Sequence, residues 1–138
     1  MKKRVVFLCT GNSCRSQMAE GFARYYGSEV MEVFSAGISP SGINQRAAEV
    51  MKEEGIDISG HSSDPVDMEL VNNADLLVTL CGNARESCPA VPASVKKIHW
   101  DLEDPTAASG SEEEIMEKFR ETRDKIKTLV KSLVDELN

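Results

Sequence analysis

Apolar residues form two kinds of run along this chain. Val5-Val6-Phe7-Leu8 and Leu76-Leu77-Val78-Thr79-Leu80 are nearly unbroken, as in strands covered on both faces. Elsewhere they recur at helical spacing: Met18, Phe22 and Tyr25/Tyr26; Ala47, Val50 and Met51; then Ile115, Phe119, Ile126, Leu129/Val130, Leu133 and Leu137. The pattern predicts strands over 4–9, 30–36, 75–80 and 96–100, and helices over 16–26, 44–54 and 66–72. A last helix opens at the capping box of Ser111 and Glu114. Gly27 and Gly55 are the expected stops of the first two helices, and 56–65 reads as loop. Strands alternating with helices imply an α/β fold: a single domain over 1–138, with a four-stranded parallel sheet and helices on both faces. Ligands of such sheets bind outside the C-terminal strand edge, where Cys9, Ser35, Cys81 and the segment after Trp100 fall.

At that edge, Cys9-Thr10-Gly11-Asn12-Ser13-Cys14-Arg15-Ser16 links the first strand to the first helix. A cysteine and an arginine with five residues between them, at a strand-to-helix junction, can hold a tetrahedral oxyanion against a sulfur. The amides of Thr10, Gly11, Asn12, Ser13, Cys14 and Arg15 have no helical partner and can turn toward the anion, backed by the helix dipole. Gly11 permits close approach, Asn12 tolerates the left-handed region, and Arg15 can fork onto two oxygens. The same field should hold the Cys9 thiol below its free pKa of about 8.5, making it a nucleophile. No Gly-Lys-Ser/Thr follows the glycine, so this is not a Walker loop. Cys14 reads as a structural thiol.

Charge and composition narrow the partners. The 138 residues are 41% hydrophobic and carry a net charge of −7, which argues against nucleic acid or an anionic membrane as partner. A small positive pocket on an acidic body is compatible with this, because charges beyond about 8 Å are largely screened. Lys2-Lys3-Arg4 and the apolar run after it are too short for a signal peptide, and no stretch is long enough to span a membrane, so a cytoplasmic, monomeric chain is expected. In a reducing cytosol, Cys9, Cys14, Cys81 and Cys88 point to catalysis, redox work or metal rather than a structural disulfide. Their spacing suits zinc poorly.

Cys81 and Cys88 stand seven positions apart. In a regular helix their α-carbons would be about 10.5 Å apart, beyond the roughly 7 Å that a disulfide spans, so bonding requires the segment to loop. Gly82, Asn83 and Pro89 make looping cheap. With Cys9 on a neighbouring strand end, three sulfurs can form a relay. Cys9 attacks an oxidised oxyanion centre, Cys81 attacks the Cys9 sulfur and expels the reduced product, and Cys88 attacks Cys81 and carries the disulfide to an external dithiol. Asp104 is the candidate general acid, with Asp101 and Glu103 expected to raise its pKa by repulsion and Pro105 to stiffen its loop.

The residues Cys9 to Gly21, with Ser35-Ala36-Gly37, Gly55-Ile56-Asp57-Ile58-Ser59, Thr79-Leu80-Cys81, Cys88-Pro89, His99-Trp100 and Asp104-Pro105, resemble the thioredoxin-coupled arsenate reductases. That family shares the fold of the low-molecular-weight tyrosine phosphatases. The resemblance implies reduction of arsenate to arsenite, with Cys9 as nucleophile, Arg15 and the loop amides as oxyanion holders, and Ser16 supporting the thiolate. It implies Asp104 as acid, Cys81 and Cys88 as the relay to thioredoxin, and potassium beside the loop at Asn12, Glu20, Ser35 and Asp64. Arg85 puts a positive charge between the relay thiols where relatives are often acidic. The alternative function is phosphomonoester hydrolysis through a Cys9 phosphocysteine, but Thr106-Ala107-Ala108 after Asp104-Pro105 offer little to grip a phenyl ring. A third reading is a non-catalytic oxyanion or thiol sensor.

Overall fold

Both unbroken apolar runs lie at the centre of a sheet. The computed structural model describes residues 2–80 and 91–138 and shows four parallel strands in the order β2-β1-β3-β4. These are β1 Lys3–Cys9, β2 Met31–Gly37, β3 Leu76–Thr79 and β4 Lys96–His99. The helices are α1 Arg15–Gly27, α2 Gln45–Glu53, α3 Met68–Asn72 and α4 Glu112–Leu137, with a 3-10 turn at Pro105–Ala107. Strand side chains alternate between two apolar layers. Val5, Phe7, Leu76 and Val78 join the larger core with α1, α2 and α4, while Val6, Leu8 and Leu77 join Val71 of α3 on the other face. The expected architecture, with helices on both faces, is therefore present. β1 pairs with β2 on one side and β3 on the other, so the strand order reverses at the end of β1. That reversal opens a crevice beyond Cys9.

Helix ends follow the local chemistry. Asn44 caps α2 through Ala47 N, Gly55 beyond it takes φ +77°, and the Ser111–Glu114 capping box is formed at α4. Gly27 differs from the expected stop. It is the last residue of α1, and a Cβ there would run into the Met31 methyl and Val134 Cγ2, so it is a close-packing glycine rather than a left-handed cap. Tyr25 also departs from the expected apolar face: it is exposed and meets the edge of Tyr26.

The buried face of α4 comprises Met116, Phe119, Ile126, Val130 and Leu133, with Ile115, Leu129 and Leu137 at its margins. Arg123 lies within it. Its guanidinium donates to Val50 O at 3.0 Å and to Glu53 Oε1 at 2.7 Å, tying α4 to α2. A charge-assisted bond to a carbonyl satisfies a polar group that burial would otherwise penalise.

Candidate active site

The segment from Cys9 to Cys14 has an unusual hydrogen-bond plan. Ile38 N donates to Cys9 O at 3.1 Å, Ser39 N to Thr10 O at 2.7 Å, Ser41 N to Gly11 O at 2.9 Å and Asn44 N to Ser13 O at 2.9 Å. Gln17 Nε2 donates to Asn12 O at 2.9 Å, Met18 N to Cys14 O at 2.9 Å, and Ser63 Oγ adds a second bond to Gly11 O at 3.0 Å. Every carbonyl from Cys9 to Cys14 is thus held from outside. A trans peptide sets its N–H opposite its C=O, so the amides that follow these carbonyls turn inward. Asn12 has φ +46°, and a Cβ on Gly37 would come within 2.8 Å of Asn12 N, so the loop is pressed against the end of β2.

The helix behind the loop offers its positive end unquenched. Cys14 occupies the N-cap of α1 without a side-chain cap bond, and the first turn contains no acid. Arg15 follows, buried. Its Nη1 donates to Leu102 O at 3.2 Å and to Leu80 O at 3.4 Å, and its Nη2 lies 3.6 Å from Asp104 Oδ2. Two buried side-chain nitrogens among the described residues lack a hydrogen-bond partner, Arg15 Nε and Asn12 Nδ2. A guanidinium steered by two carbonyls, with one buried donor left over, is arranged to receive an anion.

The structure brings most of the expected residues to this one edge. Cys9 ends β1, is buried, and stands at the mouth of the crevice. The Cys14 side chain turns into the core, where burial pushes its thiol up to about 12 despite the neighbouring Arg15, so it contributes backbone only, as a structural thiol would. Asp104 combines two duties. Its Oδ1 accepts from Thr106 N at 3.0 Å and Thr106 Oγ1 at 2.7 Å, capping the 3-10 turn, while Oδ2 faces Arg15. Ser16 Oγ donates to Asn12 Oδ1 at 2.8 Å, so it braces the loop from the first turn of α1. Cys81, Cys88 and Arg85 lie outside the described residues. Leu80, next to Cys81, donates its N–H to Leu8 O at 3.0 Å.

Three of the four residues implied for potassium line one cleft of about 380 Å³: Glu20, Ser35 and Asp64. Glu20 is buried, with Ser35 Oγ on Oε1, Arg24 Nε 2.9 Å from Oε2, and His61 Nδ1 3.4 Å from Oε2. Asp64 Oδ2 accepts from Ser62 Oγ at 2.7 Å. Asn12 Oδ1 accepts from both Ser16 and Gln17. The donors are hard oxygens of the kind a group-one cation takes, and Arg24 already gives Glu20 a positive neighbour. The outer supports Ser41, Ser63, Gln17 and His61 were not foreseeable from spacing. Each is an ordinary polar residue in loop or helix, and Gln17 signals itself only by being polar on a helix turn that is otherwise buried.

Comparison with known proteins agrees with this geometry. The family model for low molecular weight phosphotyrosine protein phosphatase matches residues 4–138. An arsenate reductase of Shouchella clausii (strain KSM-K16) is 50% identical over 134 residues, which is 97% of this chain and 96% of its own. The solved structure of an arsenate reductase in the phosphate binding state has a TM-score of 0.80 and 36% identity, covering 100% of both chains. A thioredoxin-dependent arsenate reductase of Corynebacterium glutamicum has a TM-score of 0.74 and 27% identity, covering 99% of this chain and 64% of that one.

Proposed function

The chain belongs to the low molecular weight phosphotyrosine protein phosphatase family, and from that premise we propose that it reduces arsenate to arsenite. The observation that carries the reading is the buried, unpartnered Arg15 Nε beside a loop whose carbonyls are all held outward, at the end of the strand bearing Cys9. Such a site stabilises a tetrahedral oxyanion through fixed donors that need no reorganisation.

The Cys9 thiolate attacks arsenic. One As–O bond breaks, and the oxygen leaves as water with a proton supplied by Asp104. The Cys81 thiolate then attacks the Cys9 sulfur. The S–As bond breaks with its electron pair retained by arsenic, which becomes arsenite, and a Cys9–Cys81 disulfide forms. The Cys88 thiolate attacks Cys81, releasing Cys9 as thiolate and leaving a Cys81–Cys88 disulfide. An external dithiol, thioredoxin, returns the two electrons. This cycle belongs to a monomer in the reducing cytoplasm, where the thiols persist between turnovers. Among the described residues, no helix is long and apolar enough to cross a membrane.

The oxygens of Glu20, Ser35 and Asp64, with Asn12 at the loop, are those that would hold potassium. Bound there, it would supply positive charge behind the loop, shared at Glu20 with Arg24. Thiol counting tests the reading. One turnover with arsenate and no reductant should consume two thiols per chain, and Cys88→Ser should accumulate a Cys9–Cys81 disulfide. A chain that keeps all its thiols after arsenate is a phosphatase or a binder.

A further inference from the structure

We propose that Gln17 is the positioning residue of the oxyanion loop, clamping the left-handed residue Asn12 against the neighbouring 61–63 segment. The inference rests on reading the Cys9-to-Arg15 loop as the oxyanion site. Gln17 is fully buried in the first turn of α1. A glutamine amide has two donors and one carbonyl acceptor. Here Nε2 lies 2.9 Å from Asn12 O, 3.0 Å from Asn12 Oδ1 and 2.9 Å from Ser62 O, so three acceptors share two protons. Oε1 lies 3.0 Å from His61 Nδ1, and the three oxygens around Nε2 are what fix the way the amide faces.

The consequence falls on one peptide. Asn12 at φ +46° is in the left-handed region, which asparagine tolerates better than other residues with a Cβ but which still costs it some free energy, so its neighbours help to hold it there. Gln17 grips both the backbone and the side-chain oxygen of Asn12. It thereby sets the plane of the Asn12–Ser13 peptide and turns the Ser13 N–H to the inside of the loop. The same grip keeps Asn12 Oδ1 in place as the acceptor for Ser16 Oγ. Ser63 Oγ on Gly11 O, from the segment that Gln17 also holds at Ser62, braces the loop one residue earlier. Gln17 acts on bound oxyanion only through Asn12.

Gln17→Glu keeps the shape and cannot donate; Gln17→Met keeps the length without polar atoms. Two measurements separate positioning from mere stability: the dissociation constant of inorganic phosphate, and the pH midpoint of Cys9 alkylation followed on its own peptide by mass spectrometry. Both variants should weaken phosphate about tenfold, as for loss of a directed hydrogen bond, and raise the midpoint by about one pH unit, Glu more than Met. Ile126→Val, a core variant on α4 that takes part in none of the loop's hydrogen bonds, should lower Tm and move neither. Gln17 variants that lose Tm but keep the wild-type midpoint and phosphate affinity overturn the proposal. Should either fail to fold, Gln17→Asn, which withdraws the amide by about one bond length, is read by the same two outcomes. A wild-type chain that binds neither phosphate nor arsenate would instead defeat the reading of the loop itself.

Discussion

Gly37→Ala isolates the packing of the loop from its chemistry. Gly37 is not in the left-handed region, so the glycine is there for space. A Cβ would sit 2.8 Å from Asn12 N, 2.9 Å from Asn12 Cβ and 3.0 Å from Gly11 C, all atoms of the loop frame rather than tips of flexible side chains. Ordinary contact begins near 3.4 Å, so the loop must retreat by about 0.5 Å. Oxyanion donors work over a window of roughly 2.7–3.1 Å, and a 1 Å misplacement costs about a hundredfold. Half that displacement implies about a tenfold loss in kcat/KM for arsenate, equivalent to about 1.4 kcal/mol at the transition state. The overpacking itself costs about 1–3 kcal/mol of stability.

Two other glycines provide the comparison. Gly60→Ala meets nothing within 4 Å and should change neither rate nor Tm. Gly27→Ala presses on the Met31 methyl and Val134 Cγ2 and should lower Tm with kcat/KM retained. The assay is steady-state arsenate reduction with excess thioredoxin system, beside thermal melts. A Gly37→Ala enzyme with wild-type kcat/KM, or a Gly27→Ala enzyme that loses as much rate for the same Tm change, would refute the reasoning.

Three further outcomes rest on the same site and core. Asp104→Asn keeps the cap to Thr106 through its carbonyl oxygen but cannot supply a proton, so kcat should fall by about 10²–10⁴-fold with phosphate affinity largely retained; equal losses in both would assign Asp104 to binding alone. Cys14, its thiol held near 12 by burial, should resist alkylation at pH 8 in the native state. The folded chain keeps that proton while the unfolded chain releases it above about pH 9, so stability should fall with rising pH from about 9 to 12, by up to about 1.4 kcal/mol per unit. Cys14→Ala should flatten that slope, as read by urea denaturation across the range. Arg123→Met leaves Val50 O without its side-chain donor and Glu53 with Arg120 alone, and should cost about 1–3 kcal/mol, with unchanged kcat/KM as the check that α2 and α4 stand apart from the chemistry.

Much of the architecture was legible because it is written in period. The runs at Val5 to Leu8 and Leu76 to Leu80 have no polar face, which only a central parallel strand requires, and the Cys9-to-Arg15 loop advertises itself by residue type. What escaped was the outer scaffold. Ser39, Ser41 and Asn44 hold the loop through backbone N–H groups, which every residue but proline possesses, so no side-chain pattern marks them. Gly27 reads as a cap because a glycine at a helix end usually signals backbone geometry, whereas this one makes room for Met31 and Val134. Arg123 lay hidden because its partners, Val50 O and Glu53, come from a helix some seventy residues away.

The outward-tied carbonyls have a consequence for how the chain breathes. Residues 38–44 form neither helix nor strand, yet the amides of Ile38, Ser39 and Ser41 are locked onto the loop and that of Asn44 onto Ser13 O. Deuterium should therefore enter these irregular positions slowly, at rates closer to those of the central strands than to those of surface coil. Catching a tetrahedral anion should then leave the exchange pattern nearly unaltered, because the cradle was already set before its guest arrived.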